Sequence, residues 1–199
     1  MRDRWPAGLA GDALYEDVVA RYAEPHRRYH TLRHVAHVLD TADALSGGTA
    51  TEAVRWAAWL HDVVYDTRAA DNEERSADYA RERLPALGVA SEVVEDVARL
   101  VLATKTHDPA PDSDRDAAVA ILLDADLAVL GADPQTYARY AAAVREEYDW
   151  VPDDLWKAGR KAVLASFLDK PSIFATPAMR ARAEAAARAN LAAELASLA

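Results

Sequence analysis

Apolar residues recur along this chain at helical spacing in segment after segment, and few runs alternate with a period of two. Such spacing lines up one face of an α-helix, so the pattern predicts helices almost throughout. The first runs from about Asp12 to Ala23 and is punctuated by Glu24-Pro25, because proline disfavours helix in the residue before it. The second covers roughly Arg27 to Leu45 and ends at Gly47-Gly48. The third opens after Thr51 and carries Trp56, Trp59, Leu60 and His61. A polar loop, Asp66 to Asp71, leads into a helix from about Asn72 to Leu87. Ser91 is placed to cap the next, which reaches about Lys105. His107 to Asp114, rich in proline and acids, reads as a loop. Beyond it, Ala117 to Leu130 is a nearly all-apolar helix that stops at Gly131. Three more open at Asp133-Pro134, at Pro152 (reaching about Asp169) and at Thr176-Pro177, proline being favoured in a first helical turn. The expectation is an all-α, single-domain helical bundle of about eight to nine helices.

Composition narrows the choice of partners. The 199 residues fit one domain with a substantial core, and abundant Ala, Arg and Glu favour helix. A net charge of −10 argues against a nucleic-acid polymer as partner, whose phosphates attract basic surfaces. An anionic small molecule stays open, because an ion and a few local cations can invert the field inside a pocket. With no cysteine there is no disulfide, thiolate nucleophile or Cys-ligated zinc. Met1 to Gly11 lacks the apolar stretch of a secretory signal, and no window approaches the ~18–20 apolar residues of a membrane span. A soluble, cytoplasmic protein without a membrane partner is expected. The Ala-rich last helix suits either the chain's own core or a second copy in a homodimer.

Candidate chemistry sits in three separate segments. His34 follows His26 and His30 and precedes His37, and a helix from Arg27 would place His30 and His34 on one face. His61-Asp62 ends the apolar face of Trp56, Trp59 and Leu60. A His-Asp pair alone is a weak signal, and a second stands at His107-Asp108 beside the Pro-rich loop. Asp124 and Asp126 interrupt the apolar run of the Ala117 to Leu130 helix, where an unpaired carboxylate is costly. Residues two apart point to nearly opposite sides of a helix, so only one of these two can face a given ion. Imidazoles and carboxylates meeting from three helices make a mixed nitrogen and oxygen site for a divalent cation. A buried ion pair with an arginine is the alternative for the aspartates.

Taken in order, these residues resemble the HD superfamily of metal-dependent phosphohydrolases, and within it a bacterial phosphohydrolase group. The likeness runs through Tyr29-His30-Thr31-Leu32-Arg33-His34, Leu60-His61-Asp62-Val63-Val64-Tyr65-Asp66, the segment from Asp71 to Ala77 and Ala103-Thr104-Lys105-Thr106-His107. It continues through the segment from Leu123 to Gly131, then Val144-Arg145-Glu146-Glu147-Tyr148 and Gly159-Arg160. The resemblance implies an HD-type helical domain over 1–199, with a metal-binding core at about 26–131 and helices of 133–199 packing on it. It implies His34, His61, Asp62 and Asp126 as metal ligands, Asp126 rather than Asp124 because it precedes Leu127, with Asp124 behind the ligands. HD proteins that hold two ions carry two further histidines. His107 could supply the later one, while Asn72 and Glu73 stand at the earlier place. That departure favours a single ion, or an unusual pair with Glu73 as a ligand, and weakens a di-iron oxygenase reading.

The implied reaction is hydrolysis of a small phosphate ester, a nucleotide by preference. A divalent ion (Mn, Fe, Co, Ni, Zn or Mg) acidifies a water and polarises a phosphoryl oxygen. Asp62 is the first candidate to carry the proton, with Glu73 or His107 as alternatives. Arg33, Lys105, Arg145 and Arg160 are the candidate phosphate-binding cations. Tyr29, Tyr65, Tyr148 and Trp150 suit either base stacking or the core. A metal-stabilised nucleotide-binding module without turnover is the alternative, because ligands alone bind an ion without a nucleophile's trajectory.

Overall fold

The computed structural model describes residues 1–6, 11–108 and 114–198, with the backbone alone at 114–116. Among the described residues stand nine α-helices, three short 3-10 segments and no strand, as the hydrophobic spacing predicts. They are α1 (Asp12–Tyr22), α2 (Leu32–Leu45), α3 (Glu52–Leu60), α4 (Asn72–Arg83), α5 (Ser91–Ala103), α6 (Asp114–Asp126), α7 (Pro134–Glu147), α8 (Asp153–Leu168) and α9 (Pro177–Ser197). No described helix is long and apolar enough to cross a membrane. The chain divides into two compact units, Met1–Asp126 and Leu127–Ala199. Most of the segment expected as the His107 to Asp114 loop lies outside the described residues.

In the first unit α3 is the central rod. Val54 and every residue from Trp56 to Leu60 are buried, so the second half of this helix is apolar all round, and α2, α4, α5 and α6 pack on the helix. Its neighbours each turn one stripe inward. On α2 that stripe is Val35, Val38, Leu39 and Ala42, and on α5 it is Val94, Val97, Ala98 and Val101. His34 occupies the first turn of the same buried α2 face, a polar residue where an aliphatic one would be expected.

Several helix limits differ from the sequence expectation, among them the end of α4, which gives way after Arg83 to a 3-10 segment, Leu84–Leu87. Helix α2 begins at Leu32 rather than Arg27, with the Thr31 side chain accepting from the Arg33 backbone N–H. His30 therefore precedes the helix, and the expected shared face of His30 and His34 does not form. Helix α5 is preceded by Ala90, so Ser91 is its first residue and not its cap, and it stops at Ala103. Helix α6 ends at Asp126, where the expected continuous helix tightens into a 3-10 turn, Leu127–Gly131.

In the second unit α9 packs along that 3-10 turn and against α8. A Cβ on Gly131 would meet the Ala183 carbonyl oxygen at 3.0 Å and its Cβ at 2.6 Å, so only glycine lets the two segments approach this closely. Asn190 on α9 donates to the Leu130 and Ala132 carbonyls at 2.8 and 2.9 Å, satisfying the end of the turn. Glu184 anchors the loop before α9 by accepting from the Ile173 and Phe174 N–H groups and from Arg188 Nε at 2.8 Å. Burial opposes its ionisation, but these donors outweigh burial and hold its pKa below the ordinary glutamate value. A lowered folded pKa contributes stability above the unfolded value and loses it as pH falls through the folded one. Glu184→Gln is accordingly expected to lower the urea midpoint at neutral pH, with the gap to wild type closing in acid, below the folded pKa. An equal loss at both pH values would show that the charge is not what matters.

Candidate metal centre

The end of α3 places its two candidate ligands by using up its terminal carbonyls one by one. The His61 N–H still bonds the Ala57 carbonyl at 2.9 Å, so His61 leaves the rod in helical register. Its Nδ1 lies 3.1 Å from the Ala58 carbonyl, which can only accept, so Nδ1 carries a proton. That bond fixes the tautomer and aims the other ring nitrogen, Nε2, away from the helix. The buried Tyr22 hydroxyl donates to the Trp59 carbonyl at 3.0 Å, and the Val63 N–H to that of Leu60 at 3.2 Å. Such caps satisfy the orphan acceptors of a helix C-terminus. They also turn the chain sharply, so Asp62 can reach the same side as His61.

The turn is latched from α4. The fully buried Ser76 hydroxyl accepts from the Val64 N–H at 3.1 Å. Asn72 Oδ1 accepts from the Asp66 N–H at 3.0 Å while its Nδ2 donates to the Asp66 carbonyl at 2.9 Å. Asn72, standing where a second ion would want a histidine, is thus spent on loop backbone. Glu73 is half-buried on the same turn of α4 and is not part of the converging group.

Three ligand atoms converge: His34 Nε2 from α2, His61 Nε2 from α3 and a carboxylate oxygen of Asp126 from the end of α6. His34 Nε2 lies 3.0 Å from His61 Nε2 and 3.0 Å from Asp126 Oδ1. His61 Nε2 lies 3.6 Å from the same oxygen. Asp62 Oδ2 stands beside them, 3.2 Å from His61 Nε2 and 3.6 Å from His34 Nε2. Donor atoms about 2.1 Å from one ion are separated by about 3.0 Å at right angles and about 3.4 Å in a tetrahedron. The observed spacings bracket those values, and two imidazole nitrogens with carboxylate oxygens suit a first-row dication. His34 Nδ1 is buried without a hydrogen-bond partner among the described residues, so that ring is held by packing and by the cluster it faces.

The field at this point favours positive charge. Burial works against the His61 imidazolium, yet Asp62 and Asp126 outweigh it and hold its pKa well above the ordinary imidazole value. Burial likewise opposes ionisation of Asp126, but bonds from His107, His34 and His61 hold it well below the ordinary carboxylate value. Asp62 is lowered too, by the charges of His61 and His30 against the penalty of burial. A site that stabilises a proton on a buried imidazole in this way offers the same attraction to a metal ion, for which the two compete.

The other sequence candidates divide. His107 Nε2 donates to Asp126 Oδ2 at 2.9 Å, so the carboxylate gives one oxygen to His107 and turns the other to the two histidines. His107 takes a left-handed backbone conformation with φ 51°, which costs an L-residue about 1 kcal/mol and often marks a functional position. Asp124 is buried but is outside the converging group. Lys105 is exposed, ion-paired with Glu74 and bonded to the Ala70 carbonyl at 3.0 Å. Arg33 is exposed on α2. In the second unit Arg145 pairs with Asp153 at 2.6 Å and Arg160 is buried against Glu194 at 2.7 Å. One group at the centre went unread in the sequence. Arg27, expected as the first residue of a helix, sends its guanidinium to the His30, Asp62 and Val63 carbonyls.

Comparison of the chain with protein-family models, with curated proteins and with solved structures finds no match. The chemistry of the site rests on its own geometry: a buried His34, His61 and Asp126 group able to hold a metal ion.

Proposed function

We propose that the protein is a metal-dependent phosphohydrolase acting on a small phosphate ester, a nucleotide by preference. The observation that carries this reading is the convergence of His34, His61 and Asp126 on one point, with Asp62 alongside. In this reading His34, His61, Asp62 and Asp126 hold one divalent ion. When bound, the ion supplies Lewis acidity towards a water and a phosphoryl oxygen. Asp62, whose side chain keeps 21% exposure, is the carboxylate placed to take up the nucleophile's proton. His107 holds Asp126 by its second oxygen and so keeps the first aimed at the histidines. The engagement of Asn72 with Asp66 supports one ion rather than two.

A second reading, a nucleotide-binding module without turnover, gains from a specific observation. Of the four cations expected to meet phosphate, Lys105, Arg145 and Arg160 each have a carboxylate partner already. Phosphate release from a panel of nucleoside monophosphates with Mn²⁺, Co²⁺ or Mg²⁺ separates the two. Hydrolysis is expected to exceed that of a His61→Ala, Asp62→Ala double mutant. Release no greater than the double mutant's would overturn the enzyme reading, and calorimetric nucleotide binding in the same sample would favour the module.

A further inference from the structure

We propose that Arg27 is the positioning residue of the metal centre, a buried strut that sets the spacing of its ligands before any ion arrives. Its side chain has 0% exposure, which for a guanidinium is expensive unless every donor finds a partner. Nε donates to Glu24 at 3.1 Å, and one terminal nitrogen donates to both the His30 carbonyl at 3.2 Å and the Asp62 carbonyl at 2.8 Å. The other terminal nitrogen reaches the Val63 carbonyl at 3.3 Å. Tyr22 and Tyr65 lie against the guanidinium carbon at 4.9 and 5.2 Å from their ring centroids.

These partners belong to two stretches of chain. His30 leads into α2, four residues before His34, while Asp62 and Val63 form the turn after α3 that carries His61. One planar, rigid fork thus ties the approach to one ligand to the exit from the other. The Asp62 and Val63 carbonyls lie beyond the end of α3 and the His30 carbonyl before the start of α2, outside the helical hydrogen-bond ladders. An apolar side chain of similar volume could fill the space between Tyr22 and Tyr65, at the cost of leaving three carbonyls without their donor. It could not fix the distance between the two segments, and a spacing of 3.0 Å between His34 and His61 depends on that distance.

The inference rests on the metal centre described above and not on turnover. Mn²⁺ affinity, measured by calorimetry and by the electron paramagnetic resonance signal of bound Mn²⁺, therefore tests it. Arg27→Met is expected to keep the wild-type circular dichroism spectrum and to weaken Mn²⁺ binding about 10–100-fold, the effect typical of groups that orient metal ligands. Its bound-Mn²⁺ signal is expected to broaden, which a loss of fold stability alone would not cause. Arg27→Lys retains the charge but cannot span the carbonyls, and is expected to lose about tenfold. Wild-type affinity and an unaltered signal in a folded Arg27→Met would overturn the proposal. Should that variant fail to fold, wild-type affinity in Arg27→Lys would overturn it instead. A wild-type protein that binds Mn²⁺ but releases no phosphate would remove the hydrolase reading and leave the role of Arg27 standing.

Discussion

Asp126→Asn is expected to weaken Mn²⁺ or Co²⁺ binding by at least about a hundredfold, beyond the range seen when an outer group is removed. The side chain sits between three imidazoles, with Oδ1 3.0 Å from His34, Oδ2 2.9 Å from His107, and His61 at 3.6 Å. Asparagine keeps the shape and one carbonyl-type oxygen but removes the negative charge that favours a cation between the histidines. Its amide nitrogen must then face either the histidine pair, where it occupies the lone pairs an ion would use, or the proton on His107 Nε2, which it cannot accept. Asp124→Asn is the internal control. That residue is more deeply buried, two positions earlier on the same helix, yet outside the converging group. Its variant is expected to change affinity by no more than a few-fold. Equal losses in the two variants, or a larger one at Asp124, would defeat the assignment of Asp126 as the ligand.

That pair of variants also probes how much of the centre was legible in the sequence. The helices were, because helical periodicity in apolar residues depends only on neighbours along the chain. The break at Asp126 was not, since nothing local in Leu123-Asp124-Ala125-Asp126-Leu127 distinguishes an α-helix that continues from one that tightens into a 3-10 turn. Residue chemistry marked His34, His61 and Asp62, each a polar group beside an apolar run. Their convergence depends on a long-range cap, because Arg27 meets carbonyls 35 and 36 positions away. Arg27 itself, expected inside α2, lies before it, and the helix starts at Leu32 behind the Thr31 cap, five residues later than its periodicity suggests. The phosphate-binding cations illustrate the converse limit. A basic residue in a motif says nothing of the carboxylate that folding brings to it, as Glu74 is brought to Lys105.

Trp59→Ala is expected to cost about 3–5 kcal/mol of folding stability, a large share of the about 5–15 kcal/mol that holds a domain of ordinary size. Trp59 is 0% exposed and lies two residues before His61 on the central helix. Trp5 packs edge-on against it at 5.0 Å and Tyr15 at 5.9 Å, and Trp5 meets Trp56 in the same way at 5.0 Å. The indole N–H donates to the Arg4 carbonyl at 3.3 Å, which fastens the first residues of the chain over the core. Read as sequence, Met1 to Gly11 was only a charged segment. In the fold, Trp5 is 3% exposed and closes the aromatic cluster beneath α3. Alanine at 59 removes the indole, frees Trp5 on one side and leaves a void that rigid helices on four sides cannot collapse into. Trp59→Phe should recover much of the loss, since it refills most of the void while forgoing the Arg4 bond. Urea unfolding of the two variants checks the order. A loss below about 1 kcal/mol for alanine would mean that the cluster rearranges freely and does not brace the end of α3. If the brace acts as described, the alanine variant also binds Mn²⁺ more weakly under conditions where it remains folded, because His61 sits at the end of the rod that the indole holds in place.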